Sequence, residues 1–182
     1  QDGKFDFNQL IKIHQFPNMK FSKFKSKSKE DASSNWLYNQ NSFFNKKNLN
    51  LVKTHSCLLP YKGNEFTTKQ QTLGAIYIVR DPRNIITSLT HHYSLEYHEA
   101  YKHLIDENSS LLEKSHESDY SNFTYLNSWA NHYKSWKNNL NFEVLFIKYE
   151  DIEKAKEETF RKVIFFVNKL TYKDHKIDEK KF

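Results

Sequence analysis

Two short runs constrain this chain more than anything else in it. "GAIYIVR" at 74–80 and "FEVLFIKY" at 142–149 are mostly apolar, the second after an early Glu143, and each reaches a basic residue at or near its end. A strand with one wet face alternates apolar and polar side chains. A strand that is apolar on both faces is covered on both faces, as in a parallel sheet. "LNLVKTH" at 49–55 is a shorter run that breaks into polar residues and reads as another strand. Helical periodicities lie between and after these runs. "PRNIITSLTHHYSLEYHEAYKHL" spaces Ile85, Ile86, Leu89 and Tyr93 by three and four, with Pro82 placed for a first turn. "YLNSWANHYKSWKNNL" does the same with Leu126, Trp129, Tyr133 and Trp136, and "EETFRKVIFFVNKL" with Phe160, Val163, Ile164 and Val167. Strand, helices, strand, helix predicts a three-layer α/β domain of the nucleotide-binding kind. Residues 49–53, 75–79 and 143–148 are expected as parallel strands of one sheet, within a single domain over 1–182.

Only three glycines and three prolines argue against an all-β chain full of tight turns. No stretch approaches the length of a membrane span or resembles a signal peptide. Cys57 has no second cysteine to pair with, which fits a reducing compartment, so a cytoplasmic location is expected. Residues 20–48 are rich in Lys, Ser and Asn and read as loop, with a helical turn around Trp36. Phe7, Leu10, Ile11 and His14 predict a short helix within 1–19. The formal charge of +6 owes much to Lys20, Lys23, Lys25, Lys27 and Lys29. Such a run reads as a solvated loop, with a nucleic-acid patch as the other possibility.

Ligands of open parallel sheets bind beyond the carboxyl ends of the strands. Three ends carry chemistry. Arg80 closes one run, and a guanidinium fork suits phosphate oxygens. Ser88 lies about two turns into the following helix and could reach the same anion. Arg80 could instead pair with Asp81 or Asp151. Lys53 and His55, two apart on a strand, point to one side, so one could stabilise negative charge while the other takes a proton. They could equally be a surface lysine and a loop histidine. Tyr149 could hydrogen-bond a ligand base or simply pack. His91, His92, His98 and His103 do not place three ligands on one helical face, so no metal is expected. Cys57 reads as a small buried residue. Trp129, Tyr133 and Trp136 read as core stripe, with His132 on its flank.

In order and spacing these segments resemble the sulfotransferases that use 3′-phosphoadenosine 5′-phosphosulfate (PAPS), over roughly residues 49–170. Leu51-Val52-Lys53-Thr54-His55 is similar to that family's strand ending in "KTH". Arg80 and Ser88 in "YIVRDPRNIITS" match its arginine and serine eight residues on. "LFIKYEDI" matches its "YED" strand, and "WANHYKSW" its Trp-His-Trp helix. The resemblance implies a P-loop nucleotide-hydrolase-like fold and PAPS as co-substrate. It implies His55 as catalytic base and Lys53 as charge stabiliser. Arg80 and Ser88 would hold the 3′-phosphate with help from Arg83, Tyr149 would sit near the adenine, and His132 would face the acceptor. The acceptor would be a small molecule or glycan bearing a hydroxyl or amine, and nucleic acid is not the expected partner.

The family's phosphosulfate loop, of the type "PKSGTTW", has no counterpart here, nor has its basic C-terminal cofactor segment. With Gln1 at one end and "KIDEKKF" at the other, the chain is expected to be an internal fragment, inactive alone. Two rival readings are a non-catalytic nucleotide-binding remnant and a basic nucleic-acid-binding domain.

Overall fold

The computed structural model describes residues 14–44, 49–112 and 119–171. In chain order these form β1 (His14–Gln15), a 3-10 turn (Met19–Phe21), α1 (Lys29–Ser34), α2 (Trp36–Phe43), β2 (Val52–Lys53) and β3 (Gly74–Val79). Then come α3 (Pro82–Tyr93), α4 (Tyr97–Ile105), β4 (Ser110–Leu111), β5 (Thr124–Tyr125) and α5 (Trp129–Lys137). The last elements are β6 (Glu143–Lys148), α6 (Tyr149–Lys154) and α7 (Lys156–Thr171).

β3 and β6 are the two apolar runs, and they pair in parallel from Gly74 opposite Glu143 to Val79 opposite Lys148. Alternation along β3 gives each face its own helix. Tyr77 turns towards α5, its ring centroid 6.0 Å from Trp136 and 6.1 Å from Tyr133. Tyr133 in turn meets Phe146 of β6 edge-on at 5.6 Å. Gly74 turns the other way, towards Leu170 and Phe166 of α7. Helix, sheet and helix therefore stack in three layers, and the α/β class predicted from the pattern holds.

A second packed region is aromatic. Phe16, Ala32, Trp36, Phe66 and Phe123 form a buried cluster. Trp36 stacks on Phe123 at 5.9 Å and meets Phe66 edge-on at 5.4 Å. Offset and edge-on aromatic pairs add about 0.5–1.5 kcal/mol beyond area burial, which suits a region with little regular structure.

Several expectations are corrected. The run 49–53 does not join β3 and β6 in one sheet. Only Val52–Lys53 is a strand, and it pairs in parallel with β1, leaving Leu49 and Leu51 exposed. Phe16 extends that pairing by donating its N–H to the Lys53 carbonyl at 2.9 Å. The missing signal was a two-residue partner, too short for any periodicity. β3 is not covered on both faces, since Ile76 and Ile78 are 37% and 56% exposed. α7 meets the sheet at Gly74 and packs beside β6.

Residues 20–48 are not simply loop, because α1 and α2 lie within them. Ser28 caps α1 by accepting from the Asp31 N–H, and Trp36 on α2 supplies core. The lysine-rich stretch is anchored through Ser26, which is 1% exposed. Its N–H donates to Asp119 Oδ1 at 3.3 Å, and its carbonyl accepts from the Tyr120 N–H at 2.9 Å. The expected helix within 1–19 falls mostly outside the described residues, and its last member, His14, stands in β1. The 82–104 periodicity divides into α3 and α4 at Ser94, whose φ of 52° ends α3.

Gly74 has no room to grow. An added Cβ would meet Leu170 Cδ1 and would stand 3.2 Å from the Glu143 carbonyl oxygen and 3.3 Å from Phe166 Cζ. Overpacking of this kind costs about 1–3 kcal/mol. Gly74→Ala should therefore lower unfolding free energy by that amount in urea denaturation.

Candidate functional site

The β3–β6 register sets the first part of the site. Val79 lies opposite Lys148, so the next residues, Arg80 and Tyr149, leave the sheet side by side. The Arg80 guanidinium lies over the Tyr149 ring, 4.7 Å from its centroid. Tyr149 is the first residue of α6, not the last of a strand. Arg80 Nε is buried with no hydrogen-bond partner, as is Glu150 Oε1. A buried donor left unpaired costs about 1–3 kcal/mol, and an acceptor beside Arg80 Nε would remove that cost.

α3 begins immediately after Arg80. Asp81 caps it, its Oδ1 accepting the Arg83 N–H at 2.9 Å, and Pro82 occupies the first turn. Asp81 also takes the Arg83 side chain, with Nη2 2.5 Å from Oδ2. The Arg83 side chain, followed by its N–H, pulls the Asp81 carboxyl from 3.8 down to about 2. Asp81 is thus committed to Arg83, not to Arg80.

A cleft of about 530 Å3 runs along α3, lined by Arg80, Asn84, Thr87, Ser88, His91 and His92. Arg80 and Ser88 share it, as their spacing suggested. Arg83 points away, with its side chain 88% exposed, and does not line the cleft. Asn84, His91 and His92 were not singled out as ligands of this cleft. The signal was present: positions 84, 88 and 92 advance by four and so stay on one side of α3, the side that Arg80 meets as it leaves β3.

Lys53 and His55 are both exposed and do not line this cleft. β2 ends at Lys53, so His55 stands in a loop, and strand alternation does not place it beside Lys53. That loop is gripped by α5. His132 Nε2 contacts the His55 carbonyl at 3.0 Å. Trp136 Nε1–H donates to the Ser56 carbonyl at 3.1 Å, and the Leu58 N–H donates to Ser135 Oγ at 3.0 Å. The Cys57 N–H donates to the Tyr125 carbonyl at 2.8 Å. Cys57 is 1% exposed, as its isolation in the sequence suggested, and burial pushes its thiol up to about 11.

His132 also reaches Tyr77, with Nδ1 2.9 Å from the hydroxyl. Both its ring nitrogens are therefore engaged within the protein. Desolvation lowers its pKa below the ordinary histidine value, and desolvation raises that of Tyr77 to about 12. Trp129 and Tyr133 stack at 5.9 Å, and Trp136 is 6% exposed, so the stripe on α5 packs. Among the described residues, no helix is long and apolar enough to cross a membrane.

A protein-family model described as the sulfotransferase domain matches residues 4–179. No curated protein matches the chain.

The Asp81 cap generates a pH-dependent prediction. Its folded pKa is depressed, so its stabilisation is complete above the unfolded value near 3.8 and fades as pH falls towards 2. Asp81→Ala should melt at a lower temperature than wild type at pH 7, and the gap should shrink between pH 4 and pH 2. Thermal melts across that range check it.

Proposed function

The chain belongs to the sulfotransferase domain family, and on that premise we propose that it transfers a sulfuryl group from PAPS to an acceptor hydroxyl or amine. The observation carrying this reading is the cleft shared by Arg80 and Ser88, with Arg80 half-buried, its Nε buried and unpaired, and its guanidinium stacked on Tyr149. A guanidinium fork and a hydroxyl on one side of a helix suit the terminal phosphate of a nucleotide. The aromatic face of Tyr149 suits the neighbouring adenine. These residues fit the 3′-phosphate end of the co-substrate.

PAPS supplies an activated sulfuryl group. Arg80 and Ser88 would hold the nucleotide so that this group faces the acceptor, and positioning of this kind carries much of such a reaction. His55 would take the acceptor proton as the new S–O or S–N bond forms and the bond to the phosphate oxygen breaks. Lys53 would offset negative charge on the transferring group. The products would be adenosine 3′,5′-bisphosphate and a sulfated acceptor, either a small molecule or a glycan. No step requires a metal ion. Arg83, paired with Asp81, would need to leave that partner to help with the phosphate. The lone buried Cys57 suits a reducing, cytoplasmic setting.

Calorimetry tests the anion site. Arg80→Ala should weaken binding of adenosine 3′,5′-bisphosphate by about 1.5–3 kcal/mol, the range for a hydrogen bond to a charged group. Unchanged affinity would remove Arg80 from the site.

Turnover tests the base. In the full-length enzyme, His55→Ala should lower kcat by about 10²–10⁴, the usual contribution of a general base, while nucleotide affinity stays near wild type. Near-normal turnover would mean that another group takes the proton.

A further inference from the structure

The grip of α5 on the loop after β2 is more specific than packing requires. We infer that His132 is a positioning residue, whose imidazole, fixed by Tyr77, holds the main chain of His55 and so aims that side chain. This rests on the reading of His55 as the base.

The hydrogen-bond pattern defines the ring. A carbonyl oxygen only accepts, so the Nε2 that contacts the His55 carbonyl carries a proton. In the neutral imidazole, Nδ1 is then an acceptor, and the Tyr77 hydroxyl donates to it. Burial favours the neutral ring, which keeps this tautomer in place at neutral pH. Tyr77 lies in the interior of β3, packed among Trp136, Tyr133 and Phe146. A relay therefore runs from the centre of the sheet, through one hydroxyl and one ring, to the backbone of a single loop residue.

Solvation does not demand this bond, because His55 is exposed and water could satisfy its carbonyl. Two neighbouring bonds act elsewhere in the loop. Trp136 holds Ser56 and Ser135 holds Leu58, and neither touches residue 55. Ser135 itself donates to the His132 carbonyl at 2.7 Å, so the two grips share one turn of α5. His132 thus acts on His55 through the main chain.

The test uses the full-length enzyme with three variants, His132→Leu, His132→Gln and Tyr77→Phe. It measures kcat, nucleotide affinity, melting temperature, amide hydrogen exchange and the nitrogen-15 shifts of the His132 ring. His132→Leu should lower kcat about 10- to 100-fold, because small misplacements of a reacting group cost that much. Nucleotide affinity should stay within about twofold of wild type, marking an effect on the chemical step. His132→Gln should recover part of the loss, since its amide can still donate to the His55 carbonyl. Wild type and Tyr77→Phe should both show the Nε2–H tautomer, because the His55 carbonyl accepts in both, and Tyr77→Phe should move the Nδ1 shift as that atom loses its donor, while leaving the fold intact. Wild-type kcat in His132→Leu, or a parallel loss of nucleotide affinity, would overturn the inference. Absence of sulfuryl transfer in wild type would instead overturn the proposed function. The grip would still be decided by exchange at Ser56 and Cys57. Faster exchange in His132→Leu supports it and unchanged exchange refutes it.

Discussion

The parallel pairing of β3 with β6 is the interaction from which the rest of the molecule takes its coordinates. Its register is fixed along the whole of both strands, and one-residue slips are forbidden because each face meets a different helix. Gly74 must face α7, where no side chain would fit, and Tyr77 must face α5. At the carboxyl ends the same register delivers Arg80 and Tyr149 as neighbours. The stacked pair at the cleft thus follows from backbone geometry laid down six residues earlier.

The loop from Thr54 to Leu58 is the second organising element. It leaves the small β1–β2 pair, yet its main chain is bonded to α5 and to Tyr125. It therefore joins the aromatic cluster around Trp36 and Phe123 to the layered β3–β6 region. A loop so tied cannot drift independently of the sheet. That is the property wanted of this segment if His55 acts as the base proposed above.

Much of this was legible in the sequence, and the illegible part has a common cause. β3, β6, α3, α5 and α7 announced themselves because each repeats a local period long enough to count. Arg80 and Ser88 were readable for the same reason, as a strand end and a helix position with fixed spacing. β1 and β2 were not, because two residues carry no period and their pairing joins His14 to Val52 across the chain. α1 escaped because its lysine and serine content masks a Ser28 cap and only two buried residues, Ala32 and Ser33. In the periodicity, His132 was noticed only as the flank of a helix stripe. Its partners, Tyr77 and the His55 carbonyl, lie 55 and 77 residues away, and no spacing rule reaches that far. Asn84 and His92 were within reach of the four-residue step along α3 either side of Ser88 and needed only that the step be followed.

Charge at the cleft depends on a local division of labour. Asp81 directly follows Arg80, and an adjacent carboxylate would ordinarily neutralise a guanidinium and blunt its hold on an anion. Here that carboxylate accepts the Arg83 N–H at the start of α3 and the Arg83 side chain beside it. The pair is exposed and screened, so its worth lies less in stability than in occupancy. Arg83 holds Asp81 on the outer side of the helix start, and Arg80 keeps its charge for the cleft. The N-terminal end of α3, with its own partial positive charge, lies at the same place. A potential suited to an anionic ligand is thus assembled from a strand end, a helix start and a sacrificial arginine. All of it is written in the four residues Arg80-Asp81-Pro82-Arg83.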